Sequence, residues 1–183
     1  MRIISGKARG TKLFTLKGLQ TRPTLDRVKE SLFNIIQSNI NNCCFLDLFS
    51  GSGAIGLEAA SRGARKVIFC DSSKEAINII KKNIDKTHLE NEIELYHMNY
   101  EILLDKKISK KLDIIYIDPP YNTNFAFLAV KKIIDNDLVN KDSIIIIETD
   151  DEKKFLKQIS ELEIQVIDNR KYGRAYLIFV KKI

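Results

Sequence analysis

Tryptophan is absent from this 183-residue chain, and proline and cysteine occur only three times each. The cysteines are Cys43, Cys44 and Cys70, and all stand in or beside apolar runs. An odd number with no zinc-ligand spacing excludes a disulfide framework and argues against a structural zinc site, so small core residues are expected. No apolar run approaches the ~20 residues that a membrane span requires. The opening Met1-Arg2-Ile3-Ile4-Ser5-Gly6-Lys7 turns polar at once. It lacks the ~7–15 residue apolar stretch of a signal peptide, so a cytoplasmic protein is expected. Internal repeats and low-complexity stretches are missing too. What is left is 44% apolar and 30% charged, a globular balance on a chain long enough for one full core.

The formal charge of +6 is unevenly placed. Residues 1–30 hold eight bases (Arg2, Lys7, Arg9, Lys12, Lys17, Arg22, Arg27, Lys29) against two acids, Asp26 and Glu30, and the rest of the chain is neutral. A concentrated basic patch on a balanced body is the footprint expected of a polyanion binder, although a solubilising tail would read the same way.

Residues 1–20 read as two short strands, near 2–4 and 12–15, linked by a segment carrying Gly6 and Gly10 that suits a hairpin. Pro23 and Thr24 mark a boundary, with Thr24 placed to cap a helix whose apolar positions are Leu25, Val28, Leu32, Ile35 and Ile36. This divides the chain into a basic hairpin extension, 1–22, and a main domain, 23–183. Beyond Asn42, short apolar runs at 43–48, 66–71, 92–97, 112–118 and 143–148 alternate with helical patterns near 54–61, 74–85, 100–104 and 125–136. Ser72 and Glu75 match a capping box for the second of these helices. Near-continuous apolar strands suit a parallel sheet covered on both faces, and the alternation predicts a doubly wound α/β fold with right-handed crossovers. A helix at 151–160 and strands at 163–169 and 175–181, joined by a short link, add an antiparallel hairpin. The expected architecture is a seven-stranded Rossmann-like sheet, mostly parallel with one reversed strand and with helices on both faces.

Two motifs carry chemistry. Gly51-x-Gly53-x-x-Gly56 leads from the first strand into a helix, and Asp71 ends the next strand twenty positions after Gly51. Strand, glycine turn, helix and second acid match a nucleotide-binding context, in which Asp71 accepts ribose hydroxyls. Asp47, where the first strand meets the loop, repels a pyrophosphate but can hold a cationic amino group. This favours S-adenosylmethionine over a nicotinamide dinucleotide. The second motif, Asp118-Pro119-Pro120-Tyr121, lies at the carboxyl end of the fourth strand, where open α/β sheets bind ligands. Paired prolines have fixed φ and no N–H, so the local backbone offers carbonyl oxygens. An exocyclic amine is a poor nucleophile because its lone pair is delocalised into the ring. The Asp118 carboxylate and the Pro119 carbonyl can each accept one of its two N–H bonds, drawing the nitrogen towards a tetrahedral form and aiming its lone pair at a methyl donor. Tyr121 can stack on the base, which must first be unstacked if it lies in a helix.

These motifs resemble those of class I methyltransferases. Arg2-Ile3-Ile4-x-Gly6-x-x-Arg9-Gly10-x-x-Leu13, Arg22-Pro23-Thr24-x-Asp26-Arg27-Val28-Lys29-Glu30-Ser31-Leu32-Phe33-Asn34, Gly56-Leu57-Glu58 and Tyr172-Gly173 further resemble the bacterial 16S ribosomal RNA guanine-N2 methyltransferases of the RsmD type. The resemblance implies methylation of one guanine N2, usually guanine 966 in rRNA numbering, within a small-subunit assembly particle. It implies S-adenosylmethionine as cofactor; no metal and a monomer are expected, although the sequence leaves the oligomeric state open. Asp47, Gly51 and Gly53 are then expected to hold the methionine end, Asp71 the ribose and Asn99 the adenine amine, with Phe49, Ser72 and Tyr100 completing the cofactor set. The RNA is expected on Arg2, Lys7, Arg9, Lys12, Arg22 and Arg27. Arg174-Ala175 departs from the threonine expected nearby. An N6-adenine methyltransferase, a glutamine-amide methyltransferase and a nicotinamide oxidoreductase stay open as rivals on the residues alone.

Overall fold

The computed structural model of the protein describes residues 1–16, 23–121 and 123–183, and the side chains of all of these except residues 23–25. Arg22 therefore lies outside what is described, and because α1 begins at Pro23, Thr24 is its second residue rather than the expected cap. The strands are β1 (Cys44–Asp47), β2 (Lys66–Asp71), β3 (Ile93–His97), β4 (Leu112–Ile117), β5 (Val139–Thr149), β6 (Ile164–Tyr172) and β7 (Ala175–Lys182). They form one sheet in the order β3-β2-β1-β4-β5-β7-β6. β1 to β5 pair in parallel, and β7 runs antiparallel to both β5 and β6. This is the seven-stranded sheet with one reversed strand that the alternation predicts. The order reverses between β1 and β4, and a crevice opens at such a point.

Among the described residues, seven α-helices cover the sheet: α1 (Pro23–Ile35), α2 (Gln37–Ile40), α3 (Ala54–Ser61), α4 (Lys74–Thr87), α5 (Tyr100–Lys106), α6 (Phe125–Asp135) and α7 (Glu152–Ile159). Side chains alternate across each strand, so neighbouring residues feed opposite cores. Phe45, Ile114, Tyr116, Ile146 and Phe179 join Leu32 and Phe33 of α1, Leu57 of α3 and Ile80 of α4 on one face. Leu46, Ile115, Ile117, Ile145 and Ile178 join Leu103 of α5, Val130 of α6 and Phe155 of α7 on the other. The three cysteines are free and buried, as their apolar neighbours imply. No helix among the described residues is long and apolar enough to cross a membrane.

Two local expectations change. Ser73, not Ser72, caps α4: its hydroxyl accepts from Ala76 N–H at 3.3 Å, and its own N–H donates to Asp71 Oδ1 at 2.8 Å. With Ala76 at the third helical position, there is no capping box. The N-terminal segment doubles back as expected, but the two short strands reduce to one antiparallel bridge between Arg2 and Lys12. Its two arms are also joined by backbone hydrogen bonds from Ile3 to Thr11, Gly10 to Ile3 and Leu13 to Met1, and other backbone groups go to α3. Glu58 accepts the N–H groups of Ile4 (2.8 Å) and Ser5 (3.0 Å), and Ser61 Oγ accepts that of Ala8 (3.0 Å). Gly6 sits at φ +86° with its α-carbon against the Ser61 backbone, where an added Cβ would stand 1.8 Å from the carbonyl oxygen. Only glycine fits that approach. Ile3, Ala8 and Leu13 are buried in the α1/α3/α4 core, so residues 1–16 are packed against the main body.

Glu58 itself is fully buried. Besides the two N–H groups it holds Lys29 Nζ at 3.0 Å and Arg62 Nε at 2.8 Å. Lys29 also donates to the Arg2 carbonyl at 2.5 Å. One carboxylate thus ties the N-terminal segment, α1 and α3 together. Burial lowers the Lys29 ammonium pKa below its ordinary value, opposed by the adjacent Glu58. Lys29 therefore drops out of the surface charge that the sequence count gave to residues 1–30.

Candidate active site

A cavity of about 440 Å³ opens at the carboxyl ends of β1, β2, β4 and β5. It falls within the ~300–1,000 Å³ of small-molecule sites. Ten of the expected residues line it: Phe49 and Gly51 from the glycine loop, Asp71 and Ser72 from the end of β2, Asn99 and Tyr100 from the start of α5, and Asp118, Pro119, Pro120 and Tyr121 after β4. Its other walls include Phe125 and Glu148. Phe49, Tyr100 and Phe125 form an aromatic cluster, with Phe49 and Phe125 rings nearly parallel (4°) at 6.4 Å and Phe49 and Tyr100 at 5.0 Å. Such flat faces suit a heterocyclic ring.

Asp47 and Gly53 do not line this cavity. Asp47 borders a smaller adjoining one of about 180 Å³, together with Met1, Thr15, Lys29 and Ser52, and the Asp118 and Glu148 carboxylates border both. Asp47 Oδ2 accepts the Gly56 N–H at 3.0 Å. Burial raises the Asp47 pKa to about 7, relieved in part by that hydrogen bond and raised further by Asp71. Gly53 lines neither of these two cavities. It is the N-cap of α3 in the left-handed region (φ 77°), and an added Cβ would stand 3.2 Å from Ile80. Turn geometry and packing explain it without a ligand. Gly56 is explained by packing alone, since a Cβ there would meet the Phe69 ring at 2.3 Å.

Two of the expected cofactor contacts are already partly engaged. The two Asp71 oxygens accept the N–H groups of Gly51 and Ser73, each at 2.8 Å. These bonds fix the carboxylate at the cavity wall, and each oxygen keeps a lone pair for a ribose hydroxyl. Asn99 Oδ1 caps α5 through the Glu101 N–H at 2.8 Å. That bond sets the side chain's orientation and leaves one lone pair for an adenine amine.

Asp118 is half-buried, Pro119 buried, and Tyr121 53% exposed at the cavity mouth. Burial raises the Asp118 pKa well above the usual carboxylate range, with Glu148 and then Asp47 adding to the shift. Glu148 is raised by burial and partly held down by a hydrogen bond from the Tyr116 hydroxyl. Burial also lifts the Tyr121 phenol to about 12, with Asp118 and Glu148 next, so it stays neutral. The larger cavity is thus walled by Asp71, Asp118 and Glu148 with no lysine or arginine beside them. Like charges crowded in a low-dielectric site stay ionised only with a cation present, so the pocket favours a positively charged guest. No group of acids, cysteines and histidines fit to hold a metal occurs among the described residues.

The family follows from comparison. Residues 1–181 match a family described as "Conserved hypothetical protein 95". The chain is 35% identical over 158 residues to "Ribosomal RNA small subunit methyltransferase D" of Haemophilus influenzae, covering 85% of this chain and 82% of that one. The chain belongs to the ribosomal RNA small subunit methyltransferase D family. It is also 34% identical over 164 residues to the "Putative rRNA methyltransferase YlbH" of Bacillus subtilis, covering 88% and 89% of the two chains. A solved structure, "Putative methyltransferase yhhF from Escherichia coli", superposes with a TM-score of 0.85 at 26% identity, covering 100% of this chain and 97% of that one. The methyltransferase D family membership accounts for the sheet order, with its crevice at the β1/β4 reversal.

Within this member of the family, sequence reasoning missed Glu148 and Phe125 at the larger cavity and Tyr116 at the smaller one. Glu148 was read as the end of a strand, although an acid at the carboxyl end of β5 beside Asp118 was a usable signal. The basic residues divide. Arg2, Lys7, Arg9, Lys12 and Arg27 are all exposed. The backbone N–H of Lys7 bonds the carbonyl of Ser61, the last residue of α3, and Lys7 Nζ pairs with Glu92 at 3.0 Å. That places Lys7 about 10 Å along the helix from the loop end, by the rise per residue. Met1 and Thr15 line the smaller cavity, so Arg2 and Lys12 stand between that cavity and the distant turn.

Proposed function

We propose that this protein transfers a methyl group from S-adenosylmethionine to the exocyclic N2 of a guanine in 16S rRNA, with guanine 966 as the family's usual position. The single observation that carries the reading is the acid-walled cavity where the glycine loop meets Asp118-Pro119-Pro120-Tyr121. S-adenosylmethionine carries a sulfonium and an ammonium group, and this wall attracts both. A nicotinamide dinucleotide would bring a pyrophosphate against three carboxylates with no compensating base. The name of the Haemophilus influenzae relative specifies small-subunit rRNA and that of the Bacillus subtilis relative specifies rRNA, and both support rRNA as the substrate.

The bound cofactor supplies an electrophilic methyl. The rest is the chain's own work. Asp71, fixed by two backbone N–H groups, takes the ribose, the Phe49–Tyr100–Phe125 cluster takes the adenine ring, and Asp47 and Gly51 face the methionine end. Asp118 and the Pro119 carbonyl each accept one N–H of the target amine, which turns its lone pair towards the methyl group. Tyr121, neutral and half in solvent, offers its face to the unstacked base. After transfer the nitrogen sheds one proton, and Asp118 is the acceptor already hydrogen-bonded to it. Residues 1–22 act as the RNA-contacting extension on the main domain, and the substrate is rRNA within a small-subunit assembly particle, bound by a monomer in the cytoplasm.

Labelled S-adenosylmethionine mixed with small-subunit particles from cells lacking the protein is expected to mark one guanine as N2-methylguanine. Label on an adenine, or on protein, would overturn the guanine reading. Thermal unfolding with S-adenosylhomocysteine against NADH tests the cofactor, and stabilisation by NADH alone would reverse that assignment.

A further inference from the structure

β4 and β5 are parallel neighbours in register, Ile117 opposite Ile147. Asp118 and Glu148 follow at the same level on adjacent strands, with Cα atoms about 5 Å apart by strand spacing. Both line the same cavity. Glu148 is 8% exposed and has no lysine or arginine partner among the described residues. Its Oε2 accepts the Tyr116 hydroxyl, while its Oε1 has no hydrogen-bond donor among the described residues. That oxygen is not shut away in the core but open to the cavity, so a guest seated there can donate to it.

Guanine donates from two adjacent positions on one ring edge, the N2 amine and the N1–H. Adenine pairs its amine with an N1 that accepts, and a carboxylate facing it is repelled. We propose that Glu148 selects guanine, its Oε1 accepting the N1–H while Asp118 and the Pro119 carbonyl hold the neighbouring amine. This rests on the amine-methylation reading of the same cavity and names what makes the site guanine-specific. Tyr116, anchored in the core, is the positioning residue that holds Glu148 at the wall.

The test uses RNA, in its assembled particle, carrying either guanine or 2,6-diaminopurine at the target position. Diaminopurine keeps the N2 amine but has an accepting N1. The native protein is expected to favour guanine by about 10³-fold or more in kcat/KM, since a site built for a hydrogen bond rejects analogues that lack it. Glu148→Gln offers an amide N–H to the accepting N1, so the preference is expected to shrink to within about tenfold or to reverse. Affinity for S-adenosylhomocysteine is expected to stay within threefold, on the order of 0.6 kcal/mol. Equal use of the two bases by the native protein overturns the proposal without any variant. So does an unchanged preference in Glu148→Gln. A fall in cofactor affinity matching the fall in rate would place Glu148 on the methyl donor instead. Methylation at a position other than N2 in both RNAs would overturn the underlying reading, and is told apart by mass analysis of the modified nucleoside.

Discussion

Asp47 and Asp118 have different tasks although both are acids at the ends of adjacent strands. Asp118 sits in the larger cavity with the proline pair, so Asp118→Ala is expected to lower methyl transfer by at least about 10³-fold while S-adenosylhomocysteine affinity changes less than about threefold. Calorimetric titration checks this, and an equal loss of affinity would give Asp118 a cofactor-binding role. Asp47 carries a pH signature. Its folded pKa of about 7 exceeds the 3.8 of a free aspartate, so between those values the folded protein binds a proton that the unfolded chain lacks. Its contribution to stability is complete below about 4 and is lost as pH rises towards 7. Asp47→Asn, which keeps an oxygen for the Gly56 N–H, is expected to raise the unfolding temperature at pH 8 and flatten its pH dependence. The same variant is expected to weaken S-adenosylmethionine binding. In the native protein that binding is expected to tighten from pH 6 to pH 8 with proton release, as calorimetry in buffers of different ionisation enthalpy would read. A variant no more stable than the native protein at pH 8 would contradict the burial of a strained carboxylate.

At the scale of elements, Glu58 is the junction of α3, α1 and the N-terminal segment. Glu58→Ala strands Lys29 in the core without its partner, and removing one side of a buried pair costs about 3–5 kcal/mol. Urea unfolding is expected to show that loss, and limited proteolysis is expected to cut residues 1–16 first. A loss under about 1 kcal/mol would mean the Glu58 contacts are marginal. Elements also show what was legible in advance. β2 and α3 have the boundaries read from the sequence, because one is a continuous apolar run and the other follows directly on a glycine turn. β5 starts earlier than expected, at Val139, because Asn140, Lys141 and Asp142 are exposed and carry no strand pattern. The N-terminal hairpin is visible in local β-forming residues, yet Ile4, Ser5 and Ala8 donate to side chains of α3 and Phe14 to Asn83 of α4, which no local pattern contains. Lys29 was counted as a surface charge because composition is blind to burial. Asp71 and Asp118, at the ends of β2 and β4, line the larger cavity and Asp47, at the end of β1, borders the smaller one, while the placement of Glu148 depends on strand neighbours that no local pattern shows.

Across the whole molecule, an acidic cavity has to receive a polyanion, so the cations outside it must offset that repulsion. Neutralising Arg2 and Lys12 together, as glutamines, is expected to lower the salt dependence of RNA binding by about one to two phosphate equivalents, each worth ~0.7–0.9 in the log–log slope. Lys7→Gln is expected to change it less, since Lys7 is paired with Glu92 and stands away from the cavity. An equal effect from both would spread the RNA over the whole segment rather than its cavity end.

The place of β7 bears on how the chain is made. It lies between β5 and β6 in the sheet but follows both in sequence, and Leu177, Ile178, Phe179 and Val180 are buried against them. While a ribosome is still translating β6, β5 has an unpaired edge at Ile145, Ile146 and Ile147. A nascent chain halted there presents a flat, apolar strand edge, the kind that recruits other chains into aggregates. Synthesis of residues 175–182 closes that edge from within, so the interval before they emerge is when the protein most needs a chaperone.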